Sequence, residues 1–273
     1  MTTPPDLLMS DRPSSREQRR AGLRQALVSE WTKLWSVRST GWSLLVTVVT
    51  VLGVAVLSGR SLLAYRSPAD VSSADVGDVA MEGVVFGQLA ICVLGAMAIT
   101  SEYGTGMIRS SLAAVPARGR LLLAKASIVA AVALITGTFT GLLSILVARQ
   151  VIGAPASGVG LTDPGVLRVL TGSGLYLAVL AVFALAVGTI LRHSAATVTT
   201  LILGVLILPS VFAQFGTAGR TVNRWWPSHA GFQLLHVDRS TGQLAPWEGF
   251  AVFGVATTVL LAVAAVLLVR RDA

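Results

Sequence analysis

Six uninterrupted apolar runs constrain this sequence more than any other feature. Each is close to the roughly 20 residues that a helix needs to cross the hydrocarbon core of a bilayer. Backbone polar groups in lipid must be satisfied within their own segment, so helices are favoured over strands. Only 12% of the 273 residues are charged. The sequence therefore predicts an all-α integral membrane protein with spans at about 39–59, 83–100, 127–148, 171–191, 195–215 and 250–269.

The distribution of basic residues predicts the orientation. Of the 21 Lys and Arg residues, 14 fall in segments on the same side as the N-terminus, and seven fall on the other side. The six and seven acidic residues leave the whole net charge of +8 on the N-terminal side. By the positive-inside rule, both termini are cytoplasmic and 60–82, 149–170 and 216–249 lie outside. Basic flanks facing anionic lipid account for this charge, so we expect membrane lipid and no nucleic acid as a partner.

The N-terminal arm divides into two parts. Residues 1–22 are rich in Pro, Ser and Arg and are predicted to be a disordered cytoplasmic arm. Apolar side chains then recur at helical spacing, which favours an interfacial amphipathic helix over 23–38 rather than an extension of the first span. Residues 39–273 form the six-span membrane domain. The interfacial helix is defined by Leu23, Leu27, Trp31, Leu34 and Trp35 on its apolar face and by Lys33 on its polar face, which Glu30 shares.

Enzyme motifs are not found in the sequence. It has no G-x-S-x-G, no H-E-x-x-H and no phosphate-binding G-x-x-x-x-G-K-[ST], and its three histidines are isolated. We therefore expect no catalytic residue, no metal ligand and no cofactor in this chain. The spans also hold almost no ionisable side chains, which argues against a proton-coupled transporter.

The segment between the second and third spans carries its own pattern. Glu102 and Tyr103 end the second span, and Gly104 and Gly106 permit a tight reversal with positive φ. After Gly106, apolar residues recur at helical steps up to Pro116, with Arg109 on the polar side. The pattern predicts a short amphipathic helix, which a simple connecting loop would not need.

Three further features of the sequence carry expectations of their own. Gly137 and Gly141 form a G-x-x-x-G in the third span that permits a close helix approach, although such spacings often arise by chance. The acidic segment 60–82 is expected to be a solvated loop. Trp225, Trp226 and Pro227 in 216–249 fit either an interfacial anchor or a partly re-entrant hairpin.

The order of these features resembles a known family. The segments "SEWTKLWSVRST", "TSEYGTGMIRSSLAAVPARGRLLLAKA" and "WWPSHAGFQLL", arranged along six spans, resemble the permease subunits of ATP-binding-cassette (ABC) exporters of the type-two class in their actinobacterial form. The resemblance implies two permeases, in a homodimer or heterodimer, working with two separate ATPase subunits that bind ATP and Mg²⁺. It also implies that the translocation path lies between the permeases, nearest the second and fifth spans.

The resemblance assigns roles to the two motifs at the cytoplasmic face. The N-terminal amphipathic helix corresponds to the elbow of the family, and the segment after the second span corresponds to the coupling helix. The implied docking residues for the ATPase are Glu102, Tyr103, Gly104, Thr105, Gly106, Met107, Ile108, Arg109 and Leu112.

Two classes of function remain open at this point. One is the permease subunit of an exporter in the bacterial plasma membrane. The other is a non-transport membrane scaffold or sensor that uses the same fold to regulate a partner.

Overall fold

The computed structural model describes residues 15–67, 71–107, 118–153, 164–237 and 242–270, and this part of the chain is helical with no strand. Six helical segments are long and apolar enough to cross a membrane, which confirms the predicted all-α, six-span architecture. We call them the first to sixth spans: Arg38–Tyr65, Ala74–Thr105, Gly119–Ile152, Gly165–Leu191, Ser194–Phe212 and Pro246–Arg270.

The N-terminal helix runs from Ser15 to Ser36. It begins eight residues before the predicted start, so residues 15–22, which the sequence analysis assigned to a disordered arm, are helical. The reason is local, because Arg, Glu, Gln and Ala in this stretch are good helix formers. Val37 is extended and separates this helix from the first span. Thr40 Oγ1 donates to Leu34 O at 2.6 Å and fixes the corner between them.

The second span contains a helix that the sequence analysis assigned to a solvated loop. Ser73–Glu82 is helical and begins with a capping box between Ser72 and Asp75. Val76 and Ala80 are buried because they share the face that packs on the third span. The prediction of a solvated loop is therefore wrong for residues 73–82. Burial of aliphatic side chains at helical spacing stabilises a helix here despite the three carboxylates in the same stretch.

The third and fourth spans approach each other closely at small residues. Ser173 Oγ donates to Gly137 O at 3.0 Å. A Cβ on Gly137 would lie 2.8 Å from Ser173 O, and one on Gly141 would lie 2.4 Å from Ser173 Oγ. The G-x-x-x-G of the third span is therefore a true contact site between helices.

The segment 216–235 forms a hairpin of short helices, Gly216–Trp225, Pro227–Phe232 and Gln233–Leu235. Its second half is buried against the fourth and sixth spans. The ring of Phe232 contacts the ring of Tyr176, with 5.5 Å between their centroids. Tyr176 lies about 18 Å along the helix of the fourth span, measured from the start of that helix at Pro164. This depth favours the re-entrant alternative for the hairpin.

The fifth span is not a uniform helix. Ser194–Ile202 is α-helical, Leu203–Ile207 forms a π-helical turn, and Leu208–Phe212 returns to α-helix. The hairpin docks on this turn, where Trp226 Nε1 donates to Gly204 O at 2.6 Å.

Replacing Gly137 with Leu should destabilise the bundle, because the new side chain would collide with the backbone of the fourth span. Overpacking of this kind costs about 1–3 kcal/mol. Thermal unfolding of the purified chain in detergent should show a lower Tm and a lower folded yield.

Gly254→Leu in the sixth span is the matched control. A Cβ at Gly254 would meet no atom of the described residues within 4 Å. Equal Tm values for Gly137→Leu and Gly254→Leu would contradict the close contact.

Candidate functional site

Four ionisable side chains from distant parts of the sequence meet at one end of the bundle. Glu30 and Lys33 come from the N-terminal helix, Glu102 from the last turn of the second span, and Lys125 from the start of the third span. Lys125 Nζ donates to Glu102 Oε1 at 2.9 Å and also to Glu30 Oε2. Lys33 Nζ donates to Glu30 Oε1 at 2.9 Å and to Glu102 Oε1 at 3.2 Å. We call these four residues the ionic cluster.

The ionic cluster is largely removed from water. The side chains of Glu30, Glu102 and Lys125 are 3%, 6% and 4% exposed, whereas Lys33 is 33% exposed. Two carboxylates and two ammonium groups balance, so no net charge is buried. A buried pair gives little net stability, but loss of one partner leaves an uncompensated charge and is strongly destabilising. The cluster therefore fixes the arrangement of three helices.

Lys33 keeps its proton at the edge of the cluster. Burial lowers the pKa of its ammonium group, but hydrogen bonds and negative charge from Glu30 and Glu102 outweigh that effect. The pKa of Lys33 consequently lies above its ordinary value. Lys33 thus carries a positive charge at any physiological pH.

Glycine geometry explains where the second span ends. Gly106 adopts a left-handed backbone with φ of 72°, and its N–H donates to Tyr103 O at 3.3 Å. Gly104 lies inside the helix, so the expected reversal uses only Gly106 of the two glycines. The left-handed cap is costly for side chains with a Cβ and natural for glycine.

Tyr103 links the same helix end to the junction of the fourth and fifth spans. The Arg192 guanidinium lies over the Tyr103 ring at 5.2 Å from its centroid, a cation–π contact. Arg192 has a φ of 57°, which is rare for a residue other than glycine. His193 then caps the fifth span, where its Nδ1 accepts from the Ala196 N–H at 3.4 Å. A short, sharply bent connection therefore touches the end of the second span.

The predicted docking residues fall into three groups. Glu102 is buried in the ionic cluster and Tyr103 is half-buried. The next four residues, 104–107, are exposed, and Met107 has 46% of its surface accessible. Ile108, Arg109 and Leu112, together with the rest of the predicted coupling helix, lie outside the described residues.

The predicted elbow residues are also divided by the structure. Trp31 and Trp35 are about half exposed and touch edge to face at 5.7 Å, whereas Leu34 is buried and Leu27 half-buried. The side chain of Leu23 lies outside the described part of the chain. Glu30, on the face that the sequence analysis treated as polar, points into the bundle because Lys125 compensates its charge.

The ionic cluster itself is what the sequence analysis did not find. The sequence does distinguish two members of the cluster, because Lys33 and Lys125 are the only lysines among 21 basic residues. Periodicity alone does not pair a charge on one helix with a charge 95 positions away. In the described part of the chain, no group of three His, Cys, Asp or Glu side chains could hold a metal ion.

Lys125→Met should destabilise the chain more than Lys33→Met does. Both changes leave the two carboxylates with a single ammonium group. The Lys125 side chain is buried, so water cannot replace it, whereas the Lys33 side chain is 33% exposed. We expect a cost of about 3–5 kcal/mol for Lys125→Met, and a smaller one for the exposed Lys33. Unfolding midpoints of the two variants in detergent measure the difference. A Lys125→Met variant as stable as the parent chain would show that the cluster does not hold the helices together.

Comparison with known proteins adds the family. Residues 26–210, well over half of the chain, match the family described as ABC-2 family transporter protein. The match includes all four residues of the ionic cluster and the first four spans. No curated protein matches the chain. Membrane subunits of this family are typically non-catalytic and work with an ABC ATPase subunit. The chain therefore belongs to the ABC-2 family of transporters and is a multi-pass permease subunit of the bacterial plasma membrane.

Proposed function

We propose that this chain is the transmembrane subunit of an ATP-driven exporter and receives its driving force at the end of the second span. A separate ATPase subunit binds ATP and Mg²⁺ and docks on the exposed segment that begins at Gly104. The observation that carries this proposal is the ionic cluster, which lies directly behind that segment and ties it to two other helices.

The cluster supports transmission of a movement from the docking segment to the spans. Glu102 is two residues from Gly104 and accepts from both lysines through its Oε1 atom. A displacement of 104–107 therefore cannot be absorbed locally without breaking buried charge pairs. The N-terminal helix and the inner ends of the second and third spans move as one unit.

The contact of Tyr103 with Arg192 supports a second route. It connects the docking segment to the start of the fifth span through two residues, Arg192 and His193. The resemblance places the fifth span near the translocation path. A movement of the second span is therefore passed to the other helix that lines that path.

A second permease copy accounts for the exposed side of the bundle. Only 17% of the most apolar stretch of the fifth span is buried, against 61% for the second span. The side chains of Leu203, Ile207 and Val211 are at least 40% exposed along one side of it. We propose that another permease, identical or homologous, covers this side, with lipid covering the rest.

The orientation can be tested by cysteine labelling. In a Cys92→Ala background, we expect Ser73→Cys to react with an impermeant maleimide in intact cells and Ser36→Cys to react only after the cells are opened. Both termini and the docking segment are then cytoplasmic. Labelling of Ser36→Cys from outside would reverse the orientation and remove the ATPase docking site from the side where ATP is present.

The docking proposal predicts a loss of coupling when a charge is placed on a predicted docking residue. Met107→Asp or Ile108→Asp should abolish both co-purification with the ATPase subunit and ATP hydrolysis by the reconstituted pair. The cost is several kcal/mol if the carboxylate enters a desolvated groove.

Matched controls separate docking from folding. Met107→Leu keeps an apolar side chain and should retain binding and hydrolysis, as should Ser73→Asp at the opposite end of the bundle. Normal binding by both Met107→Asp and Ile108→Asp would refute the docking role and favour a scaffold or sensor function.

A further inference from the structure

A cavity of about 340 Å³ lies beside the ionic cluster. It is enclosed by the N-terminal helix, the start of the first span, and the inner parts of the second and third spans. Its volume is at the lower end of the range for small-molecule sites. The walls are mostly apolar, and all four members of the ionic cluster contribute to the lining. The apolar wall includes Leu34, Val37, Leu94, Met97 and Ile128.

One buried polar atom of a residue that lines this cavity has no hydrogen-bond partner in the described part of the chain. Glu102 Oε1 accepts from both lysines, but Glu102 Oε2 is buried and accepts no hydrogen bond from any described residue. A buried polar atom without a partner is unfavourable, and more so when it belongs to a charged group. A carboxylate oxygen can only accept, so the missing partner is a hydrogen-bond donor. Glu102 itself is 5% exposed and is one of the residues that line the cavity.

The charge of the surroundings limits what that donor can be. The ionic cluster is already neutral, so a simple cation would add an unbalanced charge. An anionic headgroup would place its phosphate among two carboxylates without supplying a cation. A zwitterion leaves the net charge of the site unchanged. Its ammonium group would lie at Glu102 and its phosphate toward the partly exposed Lys33.

The cavity opens at a part of the surface that lies close to the lipid headgroups. Several of its lining residues are partly exposed, among them Lys33, Ser36 and Val37, so the cavity reaches the surface of the bundle at the end of the N-terminal helix. Trp31 and Trp35 are half exposed on the same helix, and tryptophans of this type lie at the headgroup level of a bilayer. An apolar tail leaving the cavity would therefore enter lipid.

We propose that this cavity binds the headgroup of phosphatidylethanolamine from the adjacent leaflet. The primary ammonium group donates to Glu102 Oε2, the phosphate lies beside Lys33, and the first part of the acyl chains packs against Leu34, Met97 and Ile128. The bound lipid joins the N-terminal helix to the second span next to the docking segment. This site concerns the chain itself and depends neither on the identity of the cargo nor on docking of the ATPase.

The test compares two lipids that differ only at the nitrogen. The full chain is purified in detergent and titrated with dihexanoylphosphatidylethanolamine or dihexanoylphosphatidylcholine while thermal unfolding is followed. Phosphatidylcholine has the same phosphate and tails, but its trimethylated nitrogen has no N–H to donate. We expect the ethanolamine lipid to raise the Tm by roughly 5 °C with saturation, and the choline lipid to produce little change.

Variants that fill the cavity locate the binding. Met97→Trp and Val37→Trp each place an indole in it, and Val37 lies at the surface, where the larger side chain is tolerated. Both should lose the Tm response to the ethanolamine lipid. Leu123→Trp, on the exposed side of the third span and outside the cavity, should keep it.

Two results would overturn the proposal. Equal Tm responses to the two lipids would show that no N–H donor is recognised. A full response in a folded Val37→Trp or Met97→Trp variant would show that the lipid binds elsewhere on the chain.

Discussion

Four paired charges at one end of the bundle, three of them held out of water, determine how its helices are arranged there. Moving a charge away from water is costly, and the cost is offset only when each charge has partners at hydrogen-bond distance. Lys125 meets this condition by joining Glu30 and Glu102, which lie on two different helices. The N-terminal helix is therefore packed against the bundle at this end. The exposed segment from Gly104 to Met107 begins two residues after Glu102, whose Oε1 atom accepts hydrogen bonds from both lysines.

Close packing gives the rest of the bundle its rigidity. The third and fourth spans touch through Gly137 and Ser173, and the Tyr176 hydroxyl donates to Gln88 Oε1 at 2.5 Å across the second and fourth spans. These polar contacts are satisfied within the protein, as an apolar surrounding requires. The second and fourth spans form the buried centre, and the fifth and sixth spans remain on the outside. In such a bundle the outer sides of the fifth and sixth spans remain accessible to lipid or to another protein.

The spans could be predicted from the sequence because they depend on local composition and length. Features that depend on contacts between distant residues of the chain could not be predicted. The helix Ser73–Glu82 was assigned to a loop because its carboxylates obscure the buried row that contains Val76 and Ala80. Glu30 was placed on a polar face, since helical periodicity does not show that Lys125 lies opposite. The resemblance assigns ATPase docking to the segment that begins at Glu102, whereas the buried charges behind that segment are visible only in the fold.

The π-helical turn at Leu203–Ile207 has a consequence for how the fifth span can change over evolution. A π-turn amounts to one extra residue in an α-helix, and one residue corresponds to a rotation of 100° about the axis. The two ends of this span therefore have independent rotational phases. The half that follows His193 keeps its register with the second span, while the half that contains Pro209 is set by the indole of Trp226 on Gly204 O. Gain or loss of a single residue at this turn would rotate the row of side chains on the second half of the span without disturbing the end of the helix that follows Arg192 and its contact with Tyr103.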